Sequence, residues 1–179
     1  MYEVEMKVAA DHGEVRQRLE AVGADALETV EQADTYYDHP ERDFAETDEA
    51  LRVRRERSEG GDVDRITYKG PKVDPDSKTR EEVETSVGAG GDADDIFRAL
   101  GFEPVATVEK EREHFAYEGY AVTLDSVAGV GDFVEVETEA EDVDAAREGA
   151  EAVMRDLNLD PDEQVRTSYL GLLLADADE

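Results

Sequence analysis

Residues 2–8, with the sequence YEVEMKV, alternate between apolar and charged side chains. Because successive side chains of a β-strand point to opposite faces, this spacing predicts a strand. Its apolar face carries Val4, Met6 and Val8. Its other face carries two carboxylates and one ammonium group, those of Glu3, Glu5 and Lys7. The fold therefore depends on whether this charged face meets water or lines an enclosed space.

The same period of two recurs along the chain, between turn residues and short helical segments. Further strands are predicted at residues 28–38, 50–57, 63–70, 79–87, 104–117, 120–126 and 132–138. Helices are predicted at residues 12–22, 92–100 and 142–157, followed by an amphipathic stretch around Tyr169, Leu172 and Leu173. Asp11 and Asp92 occupy N-cap positions, and ERDFAETDEA at 41–50 is predicted to be a polar connection. No boundary is evident, so we expect residues 1–179 to form a single domain.

The charged faces of these strands carry acidic and basic residues in equal number. The seven acidic residues are Glu3, Glu5, Glu82, Glu84, Asp125, Glu135 and Glu137. The seven basic residues are Lys7, Arg52, Arg54, Lys69, Arg80, Lys110 and Arg112. The whole chain, in contrast, has 49 acidic and 19 basic residues and a formal net charge of −30. Basic residues are therefore enriched on one face of the predicted sheet.

Two folds fit this pattern. In the first, an open antiparallel sheet packs its apolar face on helices and exposes its charged face to water. Nothing then requires that face to be neutral. In the second, about eight strands close into a barrel with the charges inside and the helices outside, which leaves room for one small ligand. Enclosed charges must be paired, and the observed balance therefore favours an α+β fold with an eight-stranded closed antiparallel barrel.

The composition limits the classes of partner. So negative a chain is not expected to bind nucleic acid or anionic membranes, since both need cationic surfaces. No signal peptide or apolar run of about 20 residues is evident, so we expect a cytoplasmic protein, halophilic in view of its many carboxylates. The absence of cysteine excludes thiolate chemistry and disulfides. An acidic chain keeps lysine mainly where it is needed, and only five remain: Lys7, Lys69, Lys72, Lys78 and Lys110.

The charged residues indicate what an enclosed site would hold. Carboxylates two residues apart on a strand project side by side and suit a hard cation such as Mg²⁺ or Mn²⁺. Three such pairs occur: Glu3 with Glu5, Glu82 with Glu84, and Glu135 with Glu137. Several arginines and lysines beside them suit phosphate oxygens. Together these groups predict a polyphosphate ligand bound with a divalent metal ion.

Several segments resemble the strand motifs of CYTH proteins, also called triphosphate tunnel metalloenzymes. In order, they are EVEMK from Glu3, LRVRRE from Leu51, TYKGPK from Thr67, TREEVE from Thr79, EKER from Glu109, LDSV from Leu124 and GDFVEVE from Gly131. Residues 39–54 and 166–174 are similar to the class IV adenylate cyclase branch, here of haloarchaeal type. The resemblance covers residues 2–174. Each motif alone is weak, and the specificity comes from their order.

The resemblance implies an eight-stranded tunnel that binds a divalent metal ion and a nucleotide or organic triphosphate. It implies metal ligands at Glu3, Glu5, Glu135 and Glu137, with Asp125 joining or orienting them. For Glu82 and Glu84 it implies one of two roles, as ligands of a second metal ion or as partners that hold arginines in place. The residues expected to bind the triphosphate are Lys7, Arg52, Arg54, Lys69, Arg80, Lys110 and Arg112. Lys7, Arg54 and Asp125 are the expected catalytic residues.

The resemblance leaves the reaction open. In an adenylate cyclase the ribose 3′-oxygen of ATP attacks the α-phosphorus, giving cyclic AMP and pyrophosphate. In a triphosphatase, water attacks the terminal phosphorus of thiamine triphosphate, tripolyphosphate or a nucleotide. The branch-like segments favour the cyclase. A non-catalytic polyphosphate-binding module ranks third because it does not need the carboxylate pairs. The family resemblance also makes a homodimer plausible.

Overall fold

The computed structural model describes residues 1–177, which form eight β-strands and five α-helices with a short 3₁₀-helix. The strands are β1 (Tyr2–Ala9), β2 (Asp25–Asp38), β3 (Ala50–Ser58), β4 (Gly61–Lys69), β5 (Arg80–Val87), β6 (Glu103–Tyr117), β7 (Tyr120–Val127) and β8 (Gly131–Ala140). The α-helices are α1 (His12–Ala21), α2 (Phe44–Thr47), α3 (Gly90–Ala99), α4 (Val143–Asp156) and α5 (Tyr169–Ala177), and the 3₁₀-helix is Pro161–Glu163. All eight predicted strands are present.

The strands close into a barrel in the order β1-β5-β4-β3-β2-β6-β7-β8, and every neighbouring pair is antiparallel. The prediction of a closed barrel with outer helices is thus confirmed, and the open-sheet alternative is wrong. Seven of the pairings are long. The eighth, between β1 and β5, has only two residue pairs, Tyr2 with Glu81 and Glu3 with Arg80.

The hydrophobic core lies between the barrel wall and the helices, outside the barrel. Met6 and Val8 of β1 are buried there together with Val134 and Val136 of β8. Helix α1 contributes Val15 and Leu19, and helix α4 contributes Ala150, Val153 and Met154. Because alternation sends these apolar residues outward, the charged residues of the same strands point into the barrel.

Helix α3 covers a second part of the wall, around Tyr37 and Val53. It begins two residues earlier than predicted, at Gly90. The prediction that Asp92 is its N-cap is wrong, because Ala89 takes that position. The carboxylate of Asp64 on β4 accepts the Gly90 N–H at 2.7 Å instead. On β5 the outward-facing Val83 is 67% exposed, so helices do not cover the whole apolar face.

The segment predicted as a polar connection contains the short helix α2, which begins after Asp43 and ends at Asp48. The Asp43 carboxylate accepts the Ala45 N–H at 2.9 Å, and Asp48 takes the left-handed conformation with φ 56°. This helix lies at the mouth of the barrel, where Phe44 lines the cavity.

Residues 70–79 form a strap that continues the wall beyond the short β1–β5 pairing. The Lys78 N–H donates to the Glu5 carbonyl at 2.9 Å. Arg147 of α4 donates to the Asp74 carboxylate at 3.0 Å, and Arg166 donates to the Asp74 and Ser77 carbonyls at 2.8 and 3.0 Å. The strap is therefore held to the barrel by residues that lie far away in the sequence.

Candidate functional site

The interior of the barrel contains a cavity of about 1030 Å³. Among the predicted site residues, only Lys7 and Asp125 do not line it. Those that line it are Glu3, Glu5, Arg52, Arg54, Lys69, Arg80, Glu82, Glu84, Lys110, Arg112, Glu135 and Glu137. The alternation of the strands thus brings charges from distant parts of the chain into one enclosed space.

Three carboxylates converge in this cavity. Glu3, Glu5 and Glu137 each offer one oxygen, and the three oxygens lie within 4.8 Å of one another. Glu5 and Glu137 are direct cross-strand partners on β1 and β8. Burial, with the neighbouring charges of Glu3 and Glu5, raises the pKa of Glu137 to about 8. Crowded carboxylates of this kind are the oxygen donors that hard divalent cations prefer.

Two lysines stand beside this carboxylate trio. Lys69 Nζ lies 2.8 Å from Glu3 Oε1, and Lys78 Nζ lies 2.8 Å from Glu5 Oε1. Although burial opposes ionisation, the charge of Lys69 lowers the pKa of Glu3 to about 2. Lys78 was not among the predicted site residues, because it lies in the strap and not on a strand. The scarcity of lysine in the chain is the signal that could have identified it.

The predicted metal ligands Glu82, Glu84 and Glu135 are not part of the trio of converging oxygens and contact arginines. Glu135 accepts from Arg112 Nη2 at 2.9 Å. Glu82 and Glu84 lie 4.0 and 3.8 Å from Arg52 Nη2, and Glu84 also accepts from Thr67 Oγ1 at 2.7 Å. Their placement fits the second of the roles expected for Glu82 and Glu84, that of holding arginines.

Asp34 of β2, which was not among the predicted site residues, forms the centre of the cationic wall. It is fully buried and accepts from Arg54 Nε at 2.7 Å and Arg54 Nη2 at 2.8 Å. Arg52 Nη1 and Lys110 Nζ lie 3.9 and 3.7 Å from its Oδ2. Although burial opposes ionisation, Arg54 and Arg52 hold the pKa of Asp34 well below its usual range. The signal in the sequence is an aspartate within a strand, where this residue is uncommon.

Asp125 makes a similar pair with Arg112, at 2.7 Å to both Nε and Nη2. It also accepts from the Tyr169 hydroxyl at 2.6 Å and is fully buried. Asp125 therefore pairs with Arg112 and is not among the three converging carboxylates. This differs from the expectation that Asp125 joins or orients the metal ligands, because the group it orients is a guanidinium.

Lys7 is fully buried behind the C-terminal segment, outside the cavity. Its Nζ donates to the Thr167 carbonyl at 2.6 Å and lies 4.1 Å from the centre of the Tyr169 ring. Burial, with the charge of Lys78, lowers the pKa of Lys7 to about 7. The expected contact between Lys7 and a triphosphate is thus not available in this arrangement, because Thr167 and Tyr169 intervene.

Arg80 lines the mouth of the cavity, where protein acceptors occupy several of its donors. Nη1 donates to the carbonyls of Asp48 and Gly70 at 2.7 and 2.8 Å, and Nη2 donates to Asp48 Oδ1 at 3.2 Å. The Asp48 carboxylate also accepts from the Lys72 ammonium group at 3.0 Å. Arg80 thus joins the strap to the end of α2.

Within residues 1–177, no helix is both long enough and apolar enough to cross a membrane.

The fold and its lining define a class of closed β-barrels whose interior places a carboxylate trio beside a cationic wall. Comparison with known proteins identifies the family. Residues 1–169 match the model of the CYTH domain, so the chain belongs to the CYTH family.

Relatives of the chain extend over almost its whole length. It is 39% identical over 176 residues to a Methanocaldococcus jannaschii protein provisionally named adenylate cyclase MJ0240, covering 96% of this chain and 98% of that protein. The solved structure of the PH1819 protein from Pyrococcus horikoshii superimposes with a TM-score of 0.90 at 38% identity, covering 97% and 98% of the two chains.

A more distant structure shares the fold alone. It is that of HpAC1 from Hippeastrum, a provisionally named adenylyl cyclase for which a dominant triphosphatase activity is described. The TM-score is 0.71 at 14% identity, with 97% of this chain and 95% of that chain covered.

Proposed function

We propose that this chain is a metal-dependent enzyme that acts on a nucleoside or organic triphosphate inside the barrel, with adenylate cyclase as the favoured activity. The observation that carries the proposal is the meeting of Glu3, Glu5 and Glu137 with a wall of arginines and lysines in one cavity. Carboxylates alone would suit many cations, and cations alone would suit many anions. Their combination is suited to a polyphosphate bound with a divalent ion.

The donor set fits Mg²⁺ or Mn²⁺, which prefer carboxylate oxygens. Glu3, Glu5 and Glu137 would hold the ion, and its charge would relieve the repulsion that raises the pKa of Glu137. When bound, such an ion supplies Lewis-acid polarisation of phosphate oxygens.

The residues of the chain supply binding and orientation. Arg54 and Arg112, each fixed by a buried aspartate, present N–H donors toward the phosphate oxygens. Lys69 and Lys110 add positive charge, which would stabilise departing pyrophosphate. The barrel wall limits the access of water, so these interactions act in a medium of low dielectric constant.

The same lining serves either attack, on the α-phosphorus by the ribose 3′-oxygen or on the terminal phosphorus by water. The name of the M. jannaschii relative supports the cyclase, as do the branch-like segments at 39–54 and 166–174. A triphosphatase acting on thiamine triphosphate, tripolyphosphate or a nucleotide is the second candidate. The description of HpAC1 shows that this fold accommodates such an activity.

Incubation with ATP and Mn²⁺ at high salt, with chromatographic identification of the products, tests the proposal. Cyclic AMP with pyrophosphate supports the cyclase, whereas ADP with free phosphate supports the triphosphatase. Glu3→Ala should abolish either reaction. Glu113→Gln, which removes the carboxylate partner of Arg16 on the outer surface, should not affect it. Turnover that survives Glu3→Ala, or the absence of any product from a panel that includes tripolyphosphate and thiamine triphosphate, would contradict the proposal.

A further inference from the structure

One buried carboxylate, that of Asp34, lies beneath three of the cations that face the cavity. Its side chain has no exposed surface, and the basic groups of Arg52, Arg54 and Lys110 lie within 4 Å of it. Without a counter-charge, three neighbouring buried cations would repel one another strongly. Asp34 supplies that counter-charge from a position that does not itself line the cavity.

The pair between Asp34 and Arg54 has a defined orientation. The two residues are direct cross-strand partners on β2 and β3, and the carboxylate binds the Nε and Nη2 edge of the guanidinium. A guanidinium group has five N–H donors, of which two belong to Nη1. Among residues 1–177, Nη1 of Arg54 has no hydrogen-bond acceptor, and Arg54 lines the cavity. The two N–H groups of Nη1, with the second N–H of Nη2, are therefore the donors left for a ligand.

A second pair repeats this geometry on the adjoining strands β6 and β7. Arg112 and Asp125 are also direct cross-strand partners, and Asp125 again binds the Nε and Nη2 edge. Both aspartates are fully buried, whereas both arginines line the cavity. Arg112 Nη2 also donates to Glu135 at 2.9 Å, and within residues 1–177 its Nη1, like that of Arg54, has no hydrogen-bond acceptor.

We propose that Asp34 is a positioning residue for the reaction, because it fixes Arg54 with Nη1 directed at the bound phosphate groups. Arg52 makes no comparable bidentate pair. Within residues 1–177 its Nε is buried without an acceptor, its Nη1 donates to the Tyr36 hydroxyl at 3.4 Å, and the carboxylates of Asp34, Glu82 and Glu84 lie no nearer than 3.8 Å. Of the two arginines of β3, Arg54 is therefore the one held in a defined orientation. This inference rests on the proposed action on a triphosphate.

The variant Asp34→Asn removes both the bidentate pair and the negative charge, and the two losses should affect different quantities. Loss of the bidentate pair lets the Arg54 guanidinium move, and a small displacement of a catalytic donor lowers turnover by roughly 10- to 100-fold. Loss of a negative charge strengthens the attraction for a polyanion and offsets the lost orientation in binding. We therefore expect kcat to fall by that factor, while the Kd for tripolyphosphate, measured by calorimetry in EDTA, changes by less than about threefold.

The double variant that combines Asp34→Asn with Arg54→Lys tests whether Asp34 acts through Arg54. Arg54→Lys keeps the positive charge but cannot form the bidentate pair with Asp34. We expect its kcat to fall about as far as that of Asp34→Asn, and the double variant to lose less than about twofold more. Glu113→Gln, which removes an arginine partner on the outer surface, should keep the wild-type values.

The outcomes distinguish this inference from the proposed function. If the wild type neither binds tripolyphosphate nor turns over any triphosphate, both are overturned. If the wild type is active and Asp34→Asn retains its kcat, or the losses in the double variant simply multiply, only the positioning role is overturned. If Asp34→Asn does not bind tripolyphosphate at one site per chain, the variant is not correctly folded, and Arg54→Lys is then the variant to measure. A wild-type kcat for Arg54→Lys would overturn the inference.

Discussion

At the scale of single residues, the interior of the barrel satisfies nearly every charge with a partner. Buried ions are costly unless they are paired, and Asp34, Asp125 and Glu135 each accept from an arginine. Glu137 is different, because its nearest charges are those of other carboxylates. Its raised pKa, about 8, follows from burial and from Glu3 and Glu5. The trio is thus the place where an added divalent cation stabilises the interior most.

The variant Glu137→Gln tests whether the carboxylate trio binds a divalent cation. The substitution keeps the size of the side chain but removes one anionic ligand, and the affinity for a hard cation depends on the charge count of its ligands. We expect Mn²⁺ binding, followed by electron paramagnetic resonance, to weaken at least roughly tenfold. Glu111→Gln, on the outer face of β6, is the matched control and should bind Mn²⁺ as the wild type does. Equal affinities of the two variants would contradict the assignment.

Lys110 provides a test that depends on pH. Burial, with the charges of Arg112 and Arg54, lowers its pKa to about 7. Above that pH the free protein holds the amine mostly neutral, while a bound polyphosphate favours its charged form. Binding of tripolyphosphate at pH 8 should therefore take up protons, and the affinity should fall as the pH rises from 7 to 9. Calorimetry in buffers of different ionisation enthalpy measures the uptake. An uptake that is unchanged in Lys110→Met would contradict this assignment.

At the scale of elements, strand alternation alone was sufficient to predict the eight strands and the inward face of most of them. Lys78 could not be found in this way, because its contact with Glu5 depends on the path of the strap. Asp34 lies on a predicted strand, but its importance arises from Arg54, Arg52 and Lys110, which reach it only when the barrel closes. Such long-range contacts have no local signature in the sequence.

The position of Lys7 also depends on long-range contacts that the sequence does not reveal. Alternation correctly assigns Lys7 to the charged face of β1, and that face does point inward. Its ammonium group is nonetheless covered by Thr167 and Tyr169, which lie some 160 residues later in the chain. A motif therefore predicts the direction of a side chain more reliably than its access to a ligand.

The strap at residues 70–79 should depend on Asp74. Its carboxylate accepts from Ser77 Oγ at 2.6 Å and from Arg147 at 3.0 Å. Because hydrogen bonds that involve charged groups contribute about 1.5–3 kcal/mol, Asp74→Ala should lower the free energy of unfolding by a similar amount. Amide exchange in residues 70–79 should also accelerate.

The control for the strap is Asp144→Ala, which removes the other carboxylate near Arg147. That side chain is 83% exposed, and its pair with Arg147 is therefore screened by water. We expect the exchange of the strap and the stability to be nearly unchanged. Equal effects of the two substitutions would show that Asp74 does not anchor the strap.

At the scale of the whole molecule, the barrel separates the charges of the chain. Nine of the 19 basic residues line the cavity, although the chain has 49 acidic residues in all. The outer surface is consequently far more acidic than the interior. This separation explains why the fold class could be predicted from the sequence, since an open sheet would have no reason to collect cations on one face.

The acidic exterior predicts a stability that increases with salt. Mutual repulsion among surface carboxylates opposes the compact state, and the Debye length falls from about 10 Å at 0.1 M salt to about 3 Å at 1 M. We expect the Tm, measured by calorimetry, to rise continuously over that range of KCl. A Tm that is highest in dilute buffer would contradict both this charge distribution and the halophilic character proposed for the chain.

A crystal structure with Mn²⁺ and a non-hydrolysable ATP analogue, examined by anomalous scattering, tests the proposed site itself. We expect a manganese peak among Glu3, Glu5 and Glu137, with phosphate oxygens against Arg54 and Arg112. Manganese found only on the outer acidic surface, with no phosphate density inside the barrel, would contradict it.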